Sequence, residues 1–427
     1  MKKIVFLALA FFTLAILVAF PNHATSQLKP GQPIIIGVPT FLGSFVGADS
    51  LKAVTLAVEE INAKGGVSIK GVKHPIRIEA SEIRDGAPGV PVPEALLGIE
   101  KTILEKKVHA IVVGPYRSEA LLASMDLLAK YKVPMLGTIA VTPASEKKLL
   151  EDPEKYKYVF RVCANAPNIV AYLTGAMGFL TKEFGFRRAF LMVQDVLWAR
   201  GTAAGVEAWF KKEGWEVLGM ETFPTGASDF SSALMKVQQT GAQVIVPIFE
   251  MPESVTLVKQ WNTMRIPALM AGHMGALTGP EAWKTFEGKI DGLINSGIME
   301  AGNIPMRKIP KSVEFFEAYK KRWGVEVESG HAPAPSYDAV YILAEAIERA
   351  GSIDPDAVVA ALQKTDRMGA IGRIRFGKSQ QVIYGFDPKE TALGCVFQWK
   401  QGKRVVVYPE TAAEGKIELP AGLKPAK

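Results

Sequence analysis

Cysteine is almost missing from this chain: its 427 residues include two, Cys163 and Cys395. Two thiols cannot build a disulfide scaffold, so the fold must be held by packing. Histidine is scarce as well. The five occur at positions 23, 74, 109, 273 and 331, without metal-ligand spacing and apart from any nucleophile motif. Zinc hydrolases and triad enzymes are thereby disfavoured, and no metal or cofactor is expected. The formal charge is +7, yet no dense Lys/Arg block exists. The excess reads as a mildly basic, solvated surface, and nucleic-acid binding has no motif behind it. Past residue 20, no segment is apolar enough to cross a bilayer.

What is present begins with an export signal. Lys2 and Lys3 precede an uncharged apolar run over 4–20, then Pro21, and Ala24-Thr25-Ser26 supplies the small residues an exported-protein peptidase reads. Residues 1–26 are therefore assigned as a signal peptide, cleaved near Ser26 to release a periplasmic chain. The length of the run leaves an uncleaved anchor as the alternative. No cysteine lies near the cut to carry a lipid. The remainder is too long for one ordinary core and suits two lobes.

Ile34-Ile35-Ile36-Gly37-Val38 is a buried-strand pattern that ends in the turn-rich Pro39-Thr40-Phe41-Leu42-Gly43-Ser44. A helical pattern follows, with Leu51, Val54, Val58 and Ile61 on one face, closing on Gly65-Gly66. Strand, loop and glycine-stopped helix open a doubly wound α/β sheet. Further strands are expected at 76–80, 110–113, 134–137 and 158–162, and a second series at 189–194, 216–220, 244–249 and 268–271. Helices fill the gaps at 94–106, 119–132, 168–184, 202–212 and 231–240. The fold class is α/β, with two similar lobes of parallel sheet covered by helices on both faces. From Ser312 onward, helices at 312–323, 337–350 and 355–364 come without intervening strands, and 410–427 reads as an extended tail.

Two strand ends stand out. The 110–113 strand runs into Gly114-Pro115-Tyr116-Arg117-Ser118, and the 134–137 strand into Thr138-Ile139-Ala140-Val141-Thr142-Pro143. Ser118 and Thr142 are candidate N-caps, with Pro143 at the first helical position. Free amides and two helix dipoles would then meet in one crevice, making a carboxylate site without Arg or Lys. The alternative is plain capping, with each hydroxyl satisfied by its own backbone.

Five segments together resemble the periplasmic solute-binding proteins of ABC importers for branched-chain amino acids, the Leu/Ile/Val-binding type. They are Glu60-Ile61-Asn62-Ala63-Lys64-Gly65-Gly66, Val113-Gly114-Pro115-Tyr116-Arg117-Ser118, the run 134–142, the run 214–245, and Phe397-Gln398-Trp399-Lys400-Gln401-Gly402-Lys403. The resemblance implies a clamshell with three hinge crossings. Its lobes would be 27–162 plus 298–393 and 163–297 plus 394–409. It implies that Ser118, Ala140 and Thr142 hold a ligand carboxylate and that Trp198 covers the ligand from the second lobe. Phe45 and Tyr116 join the ligand-binding set.

Two departures concern the ligand amine. The family's amine-pairing Glu falls on Met274, and Glu250 stands where an aromatic residue is more usual. Glu250 either pairs an ammonium from the opposite side of the cleft or caps the helix beginning at Pro252. Of the histidines only His273 is placed to reach the cleft, the alternative being a solvated loop residue, and His109 reads as structural. By alignment to the family, Cys163 and Cys395 lie near hinge strands, close enough to pair. The implied function is capture of a small carboxylate-bearing solute, a branched-chain or related amino acid, by a monomer that delivers it to an ABC permease in the inner membrane. A sensing role toward a receptor, for amides or aromatic and aliphatic acids, is the alternative. An exported enzyme is the weaker rival.

Overall fold

A computed structural model of the chain describes residues 28–296 and 304–426. The signal-peptide assignment and the 297/298 lobe boundary lie outside the described residues.

Two separate parallel sheets are wound in the same order. In the first, the strands run Ile76–Glu82, Ile34–Thr40, Ala110–Val113, Met135–Gly137 and Val159–Arg161 across the sheet. In the second, the order is Glu216–Phe223, Arg188–Gln194, Val244–Phe249, Leu269–Met274 and Ile294–Ser296. Each sheet starts in its interior, steps to one side, then reverses. The reversal opens a crevice beyond the carboxyl ends of the first and third strands, where ligands of such sheets bind. In the first lobe the loops at that point are 41–44 and 114–117. In the second they are 195–196 and 250–253. The duplication leaves no recognisable residue repeat; the strand–helix pattern suggests it and the topology displays it.

The strands run through as nearly continuous apolar stretches because helices cover both faces. Val244–Phe249 is buried at every position, as is Ala110–Val113. Helix Phe45–Ala63 packs against Pro333–Ala350, which brings this later helix back onto the first lobe. Strands Val396–Lys400 and Lys403–Tyr408 then extend the second sheet in antiparallel fashion. A small four-stranded sheet, Asp366–Gly369, Gly372–Arg375, Ala392–Leu393 and Tyr384–Gly385, lies before this return.

Several expectations need correction. Cys163 and Cys395 are both buried, form no disulfide and belong to different hydrophobic clusters. The 410–426 segment has no regular structure but is docked. Gln398 exchanges hydrogen bonds with the Glu418 backbone, and the Ala426 amide donates to the Phe184 carbonyl at 2.9 Å. Helix Leu197–Lys212 begins five residues earlier than its pattern indicates, which draws Trp198 into its first turn. A short hairpin, Val67–Ile69 with Val72–His74, follows Gly66. A Cβ on Gly66 would lie 2.2 Å from the His74 carbonyl oxygen, so this turn admits only glycine.

Candidate functional site

The wall contributed by the first lobe is built from two strand-end loops. Helix Ser118–Tyr131 starts at Ser118 itself, with Arg117 as the preceding cap residue and no side-chain cap. The Ser118 hydroxyl is buried and has no hydrogen-bond partner. It is therefore not spent on capping, which removes the plainer of the two readings for this residue. Thr142 behaves differently. Its Oγ1 accepts from the Ala144 amide at 3.2 Å, and the helix runs Ala144–Glu151 with Pro143 before it. Thr142 thus makes a local turn, one residue ahead of the cap position expected of it, and its hydroxyl proton stays available.

The 139–142 loop has a consistent polarity. Its four carbonyls all turn into the protein. Ile139 accepts from His331 Nε2 at 2.6 Å, Ala140 from Cys163 Sγ at 3.5 Å, Val141 from the Ala166 amide at 2.8 Å, and Thr142 from Arg161 Nη1 at 2.9 Å. Among the described residues, the amides of Ala140 and Thr142 donate to no protein acceptor. Carbonyls held inward with amides left over make an anion-binding concavity.

Tyr116 sits beside this loop, edge-on to Phe41 with ring centroids 6.0 Å apart. The two rings press on Gly86, where a Cβ would come within 2.6 Å of Phe41 and 2.8 Å of Tyr116. Phe45 stands at the first position of helix Phe45–Ala63, half-buried against the same hydrophobic cluster as Tyr116 and Trp198, and Phe41 adds an aromatic edge at the switch point. Behind Tyr116, the buried Asp85 accepts the Arg117 amide on Oδ2 at 2.9 Å, while Oδ1 has no partner. Burial pushes the Asp85 carboxyl up to about 6. The Tyr116 phenol is raised by burial first, then by the nearby Glu250 and Asp85 charges.

The raised Asp85 carboxyl ties the stability of the fold to pH. The folded value, about 6, lies above the ordinary 3.8, so the folded state holds a proton that the unfolded chain releases between them. The resulting stabilisation is complete below about pH 4 and is lost as pH rises through 6, roughly 1–3 kcal/mol in all. Urea unfolding at pH 4 and pH 7 should show a smaller decline in Asp85→Asn than in the wild type. An equal decline would assign the titration to another group.

The second lobe offers a carboxylate instead of hydroxyls. Glu250 follows strand Val244–Phe249, and its Oε2 lies 2.7 Å from His273 Nε2, with both side chains buried. His273 belongs to strand Leu269–Met274, longer than its sequence pattern indicates, so it is neither solvated nor in a loop. Glu250 caps no helix. The next one, Ser254–Thr263, begins four residues on, with Glu253 before it. Gln194 Oε1 fixes the bend by accepting from the Glu250 and Met251 amides at 2.9 and 3.2 Å. The Trp198 ring stands edge-on to His273 at 5.7 Å. Met274 is fully buried in the core of the second lobe, its amide held by Asn295 Oδ1 at 2.8 Å.

The two walls face each other. The Glu119 carboxylate, one residue past Ser118, accepts the Leu197 amide of the opposite lobe at 3.1 Å, one residue before Trp198. Ser118, Tyr116, Ala140 and Thr142 thus come from one side and Trp198, Glu250 and His273 from the other; Phe45 is half-buried at the helix start after the 41–44 loop, and Met274 belongs to the core of the second lobe. Asp85, Phe41 and Gln194 were not singled out from the sequence. Phe41 alone carried a signal there, because it sits at the carboxyl end of the first strand. His109 accepts the Ile35 amide on Nδ1 at 2.9 Å, a structural role. Among the described residues, no group of three or more His, Cys, Asp or Glu could hold a metal ion, and no helix is long and apolar enough to cross a membrane.

A family model described as periplasmic binding protein matches residues 36–385. The Leu/Ile/Val-binding protein homolog 8 of Brucella abortus is 25% identical over 387 residues, covering 88% of this chain and 90% of that one. Among solved structures, the branched-chain amino acid transporter substrate-binding protein of Streptococcus pneumoniae, in complex with isoleucine, superimposes with a TM-score of 0.71. It is 23% identical and covers 88% of this chain and 100% of its own. An ABC-transporter solute-binding protein of R. palustris, in complex with benzoate, gives a TM-score of 0.70 at 14% identity, covering 92% and 99%.

Proposed function

The chain belongs to the periplasmic binding protein family, and from that premise we propose that it captures a small carboxylate-bearing solute between its lobes and hands it to an ABC permease. The observation that carries this reading is the buried, unbonded Ser118 hydroxyl beside the free Ala140 and Thr142 amides. A carboxylate placed there completes hydrogen bonds that the protein leaves open, and each such charge-assisted bond is stronger than a neutral one. The lobes follow the boundaries given above, the hinge crosses three times, and the protein acts as a monomer in the periplasm. Binding suffices for this task, since closure alone alters the surface offered to a permease.

Glu250 makes a branched-chain or related amino acid the favoured ligand. Its carboxylate faces Tyr116 across the lobes and can receive an ammonium while Ser118 and Thr142 hold the acid end. Benzoate in one structural neighbour supports the second reading, an aromatic or aliphatic acid without an amine. Calorimetry separates them. If an amine is gripped, Glu250→Gln should raise the Kd of leucine by about 10-fold or more and leave 4-methylpentanoate, its deaminated analogue, nearly unchanged. Equal losses for both would discard the amine role. A thermal-shift screen of amino acids, aromatic acids, short-chain acids and amides tests the parent claim. Stabilisation by an acid is expected, and chemical conversion of the bound compound would overturn it.

A further inference from the structure

The guanidinium of Arg161 is fully buried at the end of strand Val159–Arg161. Its Nη1 donates to the Thr142 carbonyl at 2.9 Å and to Ser145 Oγ at 3.0 Å, and Nη2 points to Cys163 Sγ at 3.7 Å. The Cys163 thiol in turn donates to the Ala140 carbonyl at 3.5 Å. Among the described residues the Nε has no partner, and none of the side-chain partners is a carboxylate. A buried cation without an ion-pair partner is costly. Here that cost falls directly beneath the loop whose amides face outward.

We propose that Arg161 is the positioning residue that makes the Ala140–Thr142 loop selective for anions. It fixes the loop's carbonyls inward, directly at Thr142 and through Cys163 at Ala140, and so aims the two amides at the ligand. Its charge lies behind those peptides, no Asp or Glu among the described residues forms an ion pair with it, and the carboxylate of a bound solute supplies a negative charge on the other side. The sequence reading of an anion site without Arg or Lys is thereby amended: no cation touches the ligand, and one stands behind it. This inference rests on the carboxylate reading of the same site.

The test is calorimetry of the purified protein with two probe pairs, L-leucine with L-leucinamide and benzoate with benzamide. Wild type, Arg161→Gln and Arg161→Lys are compared after thermal melts confirm folding. The wild type should prefer at least one acid over its amide. Arg161→Gln should weaken that acid by about 100-fold and the amide by less than about threefold, collapsing the ratio. Arg161→Lys, which keeps the charge but not the planar fork, should retain part of the preference. A merely structural Arg161 predicts equal losses for acid and amide, and that result, or an undiminished ratio in Arg161→Gln, overturns the inference alone. Should Arg161→Gln fail to fold, Arg161→Lys decides: loss of all acid preference with the charge intact also overturns it. A wild type that prefers neither acid over its amide overturns the carboxylate reading itself, and this inference with it.

Discussion

A Ser118→Ala, Thr142→Ala double variant is expected to lose about 2–4 kcal/mol of binding free energy toward a carboxylate ligand, on the order of a 30- to 1000-fold rise in Kd. Each hydroxyl that donates to a charged oxygen contributes about 1–3 kcal/mol. The two are unlike in the ligand-free protein. Ser118 Oγ has no bond to lose, so Ser118→Ala should leave stability unchanged or slightly improved while binding falls. Thr142 Oγ1 also accepts the Ala144 amide, so Thr142→Ala should lower both, the stability by about 0.5–1 kcal/mol. Calorimetry and urea unfolding on the two single variants and the double separate these contributions. Wild-type affinity in all three would remove the hydroxyls from the binding site.

The second large effect concerns the strand pair that carries Glu250 and His273. Gly272 lies on strand Leu269–Met274, directly before His273. A Cβ there would come within 2.2 Å of the Pro247 carbonyl oxygen and 2.6 Å of the Pro247 ring. Both belong to the adjoining strand, whose Ile248 and Phe249 stand in register with His273 and Met274. Neither can move without parting the pair, so Gly272→Ala should cost about 3 kcal/mol or more. Because the same separation pulls His273 from Glu250, ligand affinity should fall with stability. A variant as stable as the wild type in urea would show that the strands have slack this geometry does not contain.

The ease of reading the fold varied with how local its causes were. Strands Ala110–Val113 and Val244–Phe249 and helix Ser231–Thr240 match their sequence patterns end to end, because apolar runs mark the strands and Gly114 and Gly241 stop the first strand and the helix. The hairpin after Gly66 escaped because three-residue strands are too short to display alternation. Helix Leu197–Lys212 hid its first turn behind Gly201, a residue that weakens a helical pattern. The docked tail looked extended from its Pro, Gly and Lys content. Leu419 and Leu423 nonetheless find apolar surface.

The site divides the same way. Ser118, Ala140, Thr142 and Trp198 were approached through strand ends and family resemblance, both properties of short segments. The Glu250–His273 pair spans neighbouring strands, and its register is set by sheet pairing that no single segment encodes. Asp85 reaches Arg117 over 32 positions and Arg161 reaches Thr142 over 19. Such contacts appear only once the sheet is assembled. The Cys163–Cys395 pairing that the family resemblance left open does not form, because proximity to a hinge does not fix which core a side chain faces.

The most direct measurement is a crystal structure of the protein grown with L-leucine or benzoate. The account predicts the carboxylate against Ser118 Oγ, Thr142 Oγ1 and the Ala140 and Thr142 amides, with Trp198 closing over the solute from the second lobe. A solute seated elsewhere, with the Ser118 and Thr142 hydroxyls turned away from it, would contradict the account.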